Sequence, residues 1–385
     1  MTKLAPQPWM QSAQRIMRVL GAPDVDVRCV GGCVRNALIG RAVVDVDVGT
    51  PEVPARVVER LEKAGIKAVP TGIDHGTVTA VTDAGNFEIT TLRRDTACDG
   101  RHAVVEFSTD WHEDARRRDF TMNAISMRID GALFDDHGGI EDAKAGRVRF
   151  VGNAEDRIQE DYLRILRLFR FYAGYGKEPI AAATLAACRK HASGLARLSA
   201  ERVQQELMKL LSVENPVPAV RAMFEADVIR HILPAARDIK RLEALIAIEP
   251  SAPAFQRHWV RRLAALIPSA AAAAHLKLSN AESDRLTAIL VPPPRAEDMN
   301  RALYRDGADV VADRLLLAGI HDDRLAEAAA WQPKALPVSG ADVLALGLAP
   351  GPRIGELLRA VEDWWIAAAF KPSRDEALGK LKEIA

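Results

Sequence analysis

Two aspartates at alternate positions, Asp45 and Asp47, lie near the end of the segment GGCVRNALIGRAVVDVDVGT of residues 31–50. Residues two apart in a β-strand point to the same face, so both carboxylates would project together while Val44, Val46 and Val48 enter the core. Adjacent carboxylates repel unless a cation lies between them, and Mg²⁺ is usually held by few protein oxygens and completed by substrate phosphates. The spacing predicts a magnesium site, although the same alternation is ordinary for a half-buried strand.

Further residues fit chemistry on a phosphate. On a neighbouring predicted strand, Glu88 would point to the face opposite to Phe87 and Ile89. It could therefore be a third acidic group of a two-metal site. Gly31 and Gly32 separate a strand from a helix-like segment, so their amides could face phosphate at the helix N-terminus. Arg35, one turn into that helix, could add a forked cation. The glycine pair taken alone is equally typical of a plain turn.

Two arginine-rich elements follow. In RRRDF, Arg118 and Asp119 could contact the phosphates and sugar of a nucleotide, with the carboxylate accepting from a 2′-hydroxyl. A solvated charged turn is the alternative, because charge runs usually are one. In EDYLRILRLFRF, polar residues recur every third position and predict one stripe of a helix, the other face being apolar. The stripe consists of Asp161, Arg164, Arg167 and Arg170.

Asp161 and Arg164 could read a base. Cytosine and adenine present an amino donor beside a ring-nitrogen acceptor, whereas uracil and guanine present the reverse arrangement. A carboxylate beside a guanidinium complements the first pair, each good bidentate contact being worth roughly 1–3 kcal/mol. The two side chains therefore predict acceptance of CTP and ATP over UTP and GTP.

The elements that must position these residues fall into two regions with different secondary-structure patterns. Apolar residues three and four apart predict an opening helix over 9–20. Short β-like runs follow at 25–30, 43–48, 77–82, 87–92 and 104–108. From about Asp142 the pattern is almost entirely helical, interrupted by prolines. We therefore expect an α+β fold, in which a small mixed-sheet head precedes helical domains.

Composition narrows the setting. Lys+Arg and Asp+Glu are both 52 in 385 residues, so no global basic field attracts nucleic acid and any RNA contact must be local. The four cysteines form no CxxC pair. The N-terminus lacks the apolar core of a signal peptide, and no stretch approaches a membrane span. The sequence predicts a cytoplasmic protein with no membrane association and no implied protein partner.

Together these motifs resemble the class II tRNA nucleotidyltransferases, which are the CCA-adding enzymes and the related bacterial poly(A) polymerases. The similarity runs through GGCVRNALIG, DVD, TGIDHGTVT, EITTLRRD, RRDFTMNA, EDYLRILRLFRF and ERVQQELMKLL. It implies a polymerase-β-like nucleotidyltransferase head at 1–141, a base-recognising neck at 142–245, and a tRNA-binding body and tail at 246–385. The implied activity is template-independent addition of C, C and A to the tRNA 3′ end from CTP and ATP, with Mg²⁺.

The resemblance also assigns roles. It makes Asp45 and Asp47 the metal-binding pair and Asp161 and Arg164 the base-reading pair. It assigns nucleotide contacts to Gly32, Arg35, Arg118, Arg167 and Arg170. It makes 201–211 the helix that supports the site, and places 93–105 where the family has a flexible loop needed for switching from C to A addition.

The sequence departs from the family at two positions. Asn36 stands where aspartate is usual, and Tyr162 replaces a common proline or alanine. Neither change alters the reaction class. A poly(A) polymerase or a partial CC- or A-adding enzyme shares every catalytic residue. The neutral net charge and the 93–105 segment mildly favour full CCA addition. An inactive RNA-binding protein would not need the aspartates, and a small-molecule nucleotidyltransferase would not explain about 240 helical residues.

Overall fold

The computed structural model describes residues 2–98 and 103–385 and divides the chain into two compact units, Met1–Ile232 and Leu233–Ala385. The first unit carries the β-sheet, and the second is built from helices and loops. This confirms the expected α+β class, a mixed-sheet head followed by helical segments. The finer division at residues 141 and 245 stays a prediction.

The strands of the described residues form one mixed sheet and one hairpin. They are β1 (Arg28–Val30), β2 (Val46–Thr50), β3 (Lys67–Gly72), β4 (Thr77–Thr82), β5 (Gly85–Thr91), β6 (Arg93–Cys98), β7 (Ala103–Phe107), β8 (Ser126–Arg128) and β9 (Leu133–Phe134). The sheet has the order β3-β4-β5-β2-β1-β8-β9, and β6 pairs with β7. Only the central β2–β5 pair among these ladders is parallel.

The central strand β2 corrects one expectation. It begins at Val46 rather than at residue 43, and Val44 is 84% exposed instead of entering the core. Val46 and Val48 are buried as expected, because β2 lies between β1 and β5 and one face of it is covered. Asp45 is therefore the last residue before the strand, and Asp47 is its second residue.

The helices of the first unit lie between the strands along the chain and also follow the last strand, up to the end of the unit. They are α1 (Pro8–Val19), α2 (Gly32–Leu38), α3 (Pro54–Lys63), α4 (Trp111–Arg116), α5 (Gly139–Ala145), α6 (Ala154–Glu160), α7 (Leu163–Tyr175), α8 (Ala182–His191), α9 (Ala200–Leu211), α10 (Val217–Glu225) and α11 (Ile229–Ile232). The opening helix is confirmed, with Met10, Ala13, Ile16 and Met17 buried at helical spacing.

The expected continuous polar stripe is wrong at its first member. Asp161 has extended backbone (φ −154°, ψ 110°) and lies between α6 and α7, so it does not belong to the helix that carries Arg164, Arg167 and Arg170. Its Oδ1 accepts from the Leu163 amide at 3.0 Å and thereby satisfies one free N–H at the start of α7. The apolar face of α7 is buried as expected.

The second unit is built from a further set of helices. They are α12 (Lys240–Ile248), α13 (Trp259–Ala264), α14 (Asn280–Ile289), α15 (Met299–Asp306), α16 (Ala308–Leu317), α17 (Asp323–Ala330), α18 (Gly340–Leu344), α19 (Pro352–Ala367) and α20 (Arg374–Ile384). Arg261 and Arg262 are fully buried and bonded to Glu249, and Arg261 also bonds Asp313 at 2.9 Å. Within the described residues, no helix is long and apolar enough to cross a membrane.

Candidate active site

One cleft in the first unit gathers most of the residues that the sequence singles out. Its volume is about 520 Å³, and it is open to solvent. It is lined by Gly31, Gly32, Arg35, Asp47, Arg117, Arg118, Asp119, Asn123, Asp161, Leu163, Arg164, Arg167, Phe171 and Arg202. The lining contains six arginines and three aspartates, so the cleft is locally cationic although the chain has zero net charge. Such a charge suits a triphosphate. Asp45, Glu88 and Arg170 lie outside this lining.

The acidic residues meet at the β2–β5 pair. Asp47 stands directly opposite Glu88 in the parallel register, while the neighbouring Phe87 and Ile89 are buried, which confirms the expected parity of Glu88. Burial raises the pKa of Asp47 to about 6, and the negative charges of Glu88 and Asp45 act in the same direction against the Arg118 guanidinium. The protein thus places mutually repelling carboxylates at the β2–β5 pair, and Asp47 is the one that lines the cleft.

That repulsion fits a divalent cation. A cation beside Asp47 would remove the electrostatic cost of ionising it, and Mg²⁺ needs only one or two protein carboxylates when substrate phosphates supply other ligands. Across residues 2–98 and 103–385, no group of three or more His, Cys, Asp or Glu side chains is arranged to hold a metal by itself. The donors therefore suit a site that substrate completes, and the metal-binding roles of Asp45, Asp47 and Glu88 stay predictions.

The glycine turn joins β1 to α2. Gly31 has φ +69°, where an L-residue is strained, and an added Cβ there would lie 3.2 Å from Arg118 Nη1. Its amide donates to the Ile125 carbonyl at 3.2 Å, so that N–H is occupied within the protein. At Gly32 the nearest atom to an added Cβ is Arg35 Nη2, at 3.7 Å. At Gly31 the turn thus lets the Arg118 guanidinium approach the backbone closely, whereas the contact at Gly32 has an ordinary van der Waals distance.

Arg35 is a buried cation with neutral partners. Its guanidinium donates to Asn36 Oδ1 at 2.9 and 3.1 Å, to Asn123 Oδ1, and to the Tyr175 hydroxyl at 2.7 Å. Burial lowers the pKa of this guanidinium, but an arginine remains charged in a protein. The aspartate usual at position 36 would place a carboxylate against it. With Asn36, the positive charge stays available to an anion in the cleft.

Three of the other cleft arginines, Arg117, Arg118 and Arg167, are held by carboxylates that are buried or nearly buried. Asp114 accepts from Arg117 at 2.7 Å and from Arg118 at 3.0 Å. Although burial opposes ionisation, these arginines hold the pKa of Asp114 below its usual value. Asp119 accepts from Arg167, from Asn123 Nδ2 at 3.1 Å and from the Phe120 amide at 2.8 Å. Its pKa is likewise lowered, burial being outweighed chiefly by Arg167.

Asp161 and Arg164 both line the cleft, but each has a different protein partner. Asp161 Oδ2 accepts from Arg202 Nη2 at 2.6 Å. Arg164 Nη1 donates to the Arg157 carbonyl at 2.9 Å and also to Glu160. The two side chains are thus present at one wall without bonding each other. Their proposed base-reading role stays a prediction.

Helix α9 supports this wall, as the segment at 201–211 was expected to do. Arg202 holds Asp161, and one turn further Glu206, which is buried, accepts from Arg170 Nε at 2.5 Å. Glu206 also lies 3.8 Å from Arg167. Arg170 therefore faces α9 and lies outside the cleft lining, so its contact with nucleotide stays a prediction.

Sequence reasoning missed several residues of this site, namely Asp114, Asn123, Tyr175, Arg202 and Glu206. Asp114 lies three and four positions before the arginines that it holds, so helical spacing carried a usable signal there. Asn123 and Tyr175 are 88 and 140 positions from Arg35, and no local pattern announces such contacts.

The segment expected to act in switching, 93–105, is only partly described. Its ends belong to the β6–β7 hairpin, which pairs Arg93 with Phe107. Residues 99–102 lie outside the described residues. The role of this segment stays a prediction.

Comparisons with known proteins agree with this geometry. Residues 27–149 match the poly A polymerase head domain, and residues 179–240 match the probable RNA and SrmB- binding site of polymerase A. The human mitochondrial CCA tRNA nucleotidyltransferase 1 is 36% identical over 380 residues, covering 93% of this chain and 87% of that one. The CCA-adding enzyme of Latilactobacillus sakei subsp. sakei (strain 23K) is 32% identical over 386 residues, covering 94% of each.

Structural similarity is equally extensive. The Bacillus stearothermophilus CCA-adding enzyme, solved in complex with CTP, matches with a TM-score of 0.75 over 98% of each chain, at 27% identity. The mixed sheet, the glycine turn and the arginine-lined cleft define a nucleotidyltransferase with a polymerase-type head. The chain belongs to the CCA tRNA nucleotidyltransferase family, which confirms the resemblance seen in the sequence motifs.

Proposed function

We propose that the protein adds C, C and A in turn to the 3′ end of tRNA, taking CTP and ATP and releasing pyrophosphate. The observation that carries this function is one cleft of about 520 Å³, where Asp47 of the central strand β2, the arginine wall and Asp161 meet. Relatives at 36% and 32% identity over nearly the whole chain are named for this activity.

The triphosphate would lie along the arginines. Arg35 and Arg118 offer guanidiniums beside the glycine turn, and a forked cation matches two phosphate oxygens at once. Asp114 fixes the orientation of Arg118 before substrate arrives, so less conformational entropy is lost on binding. The ribose would lie beside Asp119, whose carboxylate is held in place by Arg167.

The base would be read at the wall formed by Asp161, Arg164 and Arg202. Asp161 presents acceptors to an amino group, and either arginine presents donors to a ring nitrogen. This arrangement complements cytosine and adenine and leaves unpaired groups against uracil and guanine. Buried polar groups left unpaired are costly, so the protein itself would act as the template.

Asp45 and Asp47 would hold the divalent metal, and we expect Mg²⁺. When bound, the metal supplies Lewis acidity that lowers the pKa of the terminal 3′-hydroxyl and offsets charge on the departing pyrophosphate. The chain itself contributes carboxylates at the start of the central strand and a cationic wall that holds the triphosphate for in-line attack.

The tRNA would reach the site where the cleft opens to solvent. We assign its remaining contacts to the segments after the head, including residues 179–240 and the second unit, which would read mainly backbone shape. We also expect a cytoplasmic location. Cys29, Cys33 and Cys188 are free thiols, in keeping with a reducing compartment.

Poly(A) synthesis is the second candidate, because both matched domain descriptions refer to polymerase A. One assay separates the possibilities: the protein is incubated with tRNA lacking its CCA end and with CTP, ATP, UTP and GTP singly and together, and the 3′ ends are sequenced. We expect CCA from CTP plus ATP and rejection of UTP and GTP. Unlimited A tails would indicate the polymerase, CC or A alone a partial enzyme, and no extension a non-catalytic RNA-binding protein.

A further inference from the structure

Arg41 is fixed by the end of α2. The Arg41 amide donates to the Asn36 carbonyl at 2.9 Å and the Gly40 amide to the Ala37 carbonyl at 3.4 Å, with Gly40 at φ +69°. These two bonds form a Schellman motif, the standard glycine-dependent helix ending. The backbone of Arg41 is therefore set by local structure, four residues before Asp45.

The side chain of Arg41 stacks on Tyr175. Its guanidinium carbon lies 4.6 Å from the centre of the Tyr175 ring, and that of Arg35 lies 4.1 Å from the same centre. One phenol ring thus carries two cations, and two like charges on the same ring repel each other. An anion near the ring would relieve that repulsion.

Arg41 has its charge available. It is exposed, and the described residues give its guanidinium no hydrogen bond or salt bridge in addition to the ring contact. Arg56 and Arg94, by contrast, are exposed arginines of the same unit that are paired: Arg56 bonds Glu59, and Arg94 bonds Glu106 at 2.9 Å. A stacked guanidinium without a carboxylate is preorganised for a phosphate.

The position of Arg41 indicates whether it would bind the triphosphate of the nucleotide or a backbone phosphate of RNA. Arg35 lines the nucleotide cleft, whereas Arg41 does not. The Asn36 side chain connects Arg35 to the loop that carries Arg41. Its Oδ1 accepts from Arg35, and its Nδ2 donates to the carbonyl of Ala42, the residue after Arg41, at 3.2 Å. Arg41 therefore lies outside the space for the triphosphate, on the loop that leads to Asp45, where a polynucleotide end must arrive.

We propose that Arg41, supported by the Tyr175 ring, binds a backbone phosphate of the RNA acceptor strand and so helps to place its 3′ end beside Asp45 and Asp47. This inference rests on the proposed function. It adds an acceptor-strand contact on the head, separate from the cleft residues that hold the incoming nucleotide.

The test compares Arg41→Ala with wild type and with Arg56→Ala, a matched exposed arginine on α3. Binding of labelled tRNA lacking CCA is measured by fluorescence anisotropy at several KCl concentrations, and CTP binding is measured separately. For Arg41→Ala we expect several-fold weaker tRNA binding, and a slope of log K against log[KCl] that is shallower by about 0.7–0.9, the value for one phosphate contact. We expect unchanged CTP binding, wild-type behaviour from Arg56→Ala, and partial recovery in Arg41→Lys.

Two results would overturn the inference while leaving the function intact: a wild type that extends tRNA together with an Arg41→Ala variant of unchanged tRNA affinity and slope, or a variant that loses CTP affinity alone. The second result would assign Arg41 to the triphosphate. A wild type that neither binds nor extends tRNA would overturn both the inference and the proposed function.

Discussion

At the scale of single residues, ion pairs orient most of the arginines that line the cleft, whereas Arg35 has no carboxylate partner among the residues that the structure describes. Asp114 fixes Arg118, Asp119 fixes Arg167, and Arg202 holds Asp161. Arg35 differs because its bonds go to amide and hydroxyl oxygens. A buried guanidinium without a bonded carboxylate gains most from an incoming phosphate, since it has already been removed from water.

Asp161→Asn tests base reading. The amide keeps an oxygen for the Leu163 N–H but loses the negative charge that favours an amino group on the base. We expect the kcat/KM preference for CTP over UTP to shrink by about 1–3 kcal/mol, while extension with CTP continues. Asp156→Asn on the exposed face of α6 is the control. Unchanged rejection of UTP would remove Asp161 from base selection.

Which residues of the site can be foreseen depends on sequence distance. Asp45, Asp47, the glycine pair and the arginine motifs lie within short segments, so residue type and spacing indicate their chemistry. The partners that orient them differ in this respect. Asp114 lies within four positions of Arg117 and Arg118, whereas Tyr175 reaches Arg35 across 140 positions. The exposure of Val44 was missed for a related reason: alternation gives the face of a strand but not the residue at which the strand begins.

At the scale of elements, the wall of the cleft depends on a helix break and on a supporting helix. Asp161 is removed from the helical path between α6 and α7, which turns its carboxylate toward Arg202 of α9. Strict three-residue spacing had predicted Asp161 on the same helical stripe as Arg164, Arg167 and Arg170. The sequence carries no proline or glycine at the break, so the interruption could not be inferred from residue types.

Glu206→Ala tests the support by α9. The substitution removes the buried carboxylate that accepts from Arg170 and leaves that guanidinium without its acceptor. We expect the free energy of unfolding from urea denaturation to fall by about 1.5–3 kcal/mol. Glu201→Ala, at an exposed position of the same helix, should change it by less than about 0.5 kcal/mol. Equal effects of the two substitutions would contradict the supporting role of Glu206.

At the scale of the whole molecule, function depends on local rather than net charge. The chain is neutral, yet the cleft in the first unit is lined by six arginines and three aspartates. The second unit buries its own charge network, in which Asp313 bonds Arg261 at 2.9 Å and Arg285 at 2.6 Å. The sequence predicted the helical texture of this region, but not a polar centre formed by residues 28 and 52 positions apart.

Asp313→Asn tests whether this network stabilises the second unit. Arg285 would lose its carboxylate partner and the fully buried Arg261 would keep only Glu249 as a carboxylate partner, and removing one member of a buried charge network typically costs up to about 3–5 kcal/mol. We expect faster amide hydrogen exchange within 233–385 and little change in the β-sheet of the first unit. Asp309→Asn, at an exposed position of α16, is the control. Loss of protection spread evenly over both units would contradict this assignment.

The central claim, that Asp45 and Asp47 carry nucleotidyl transfer, is tested most directly by replacing both with asparagine and measuring the rate of CMP addition to tRNA lacking CCA. Losing the metal-holding charge should cost several kcal/mol of transition-state stabilisation, which is about a thousandfold or more in rate. CTP should still bind through the arginine wall. Wild-type turnover by the double variant would contradict the assignment of these two carboxylates.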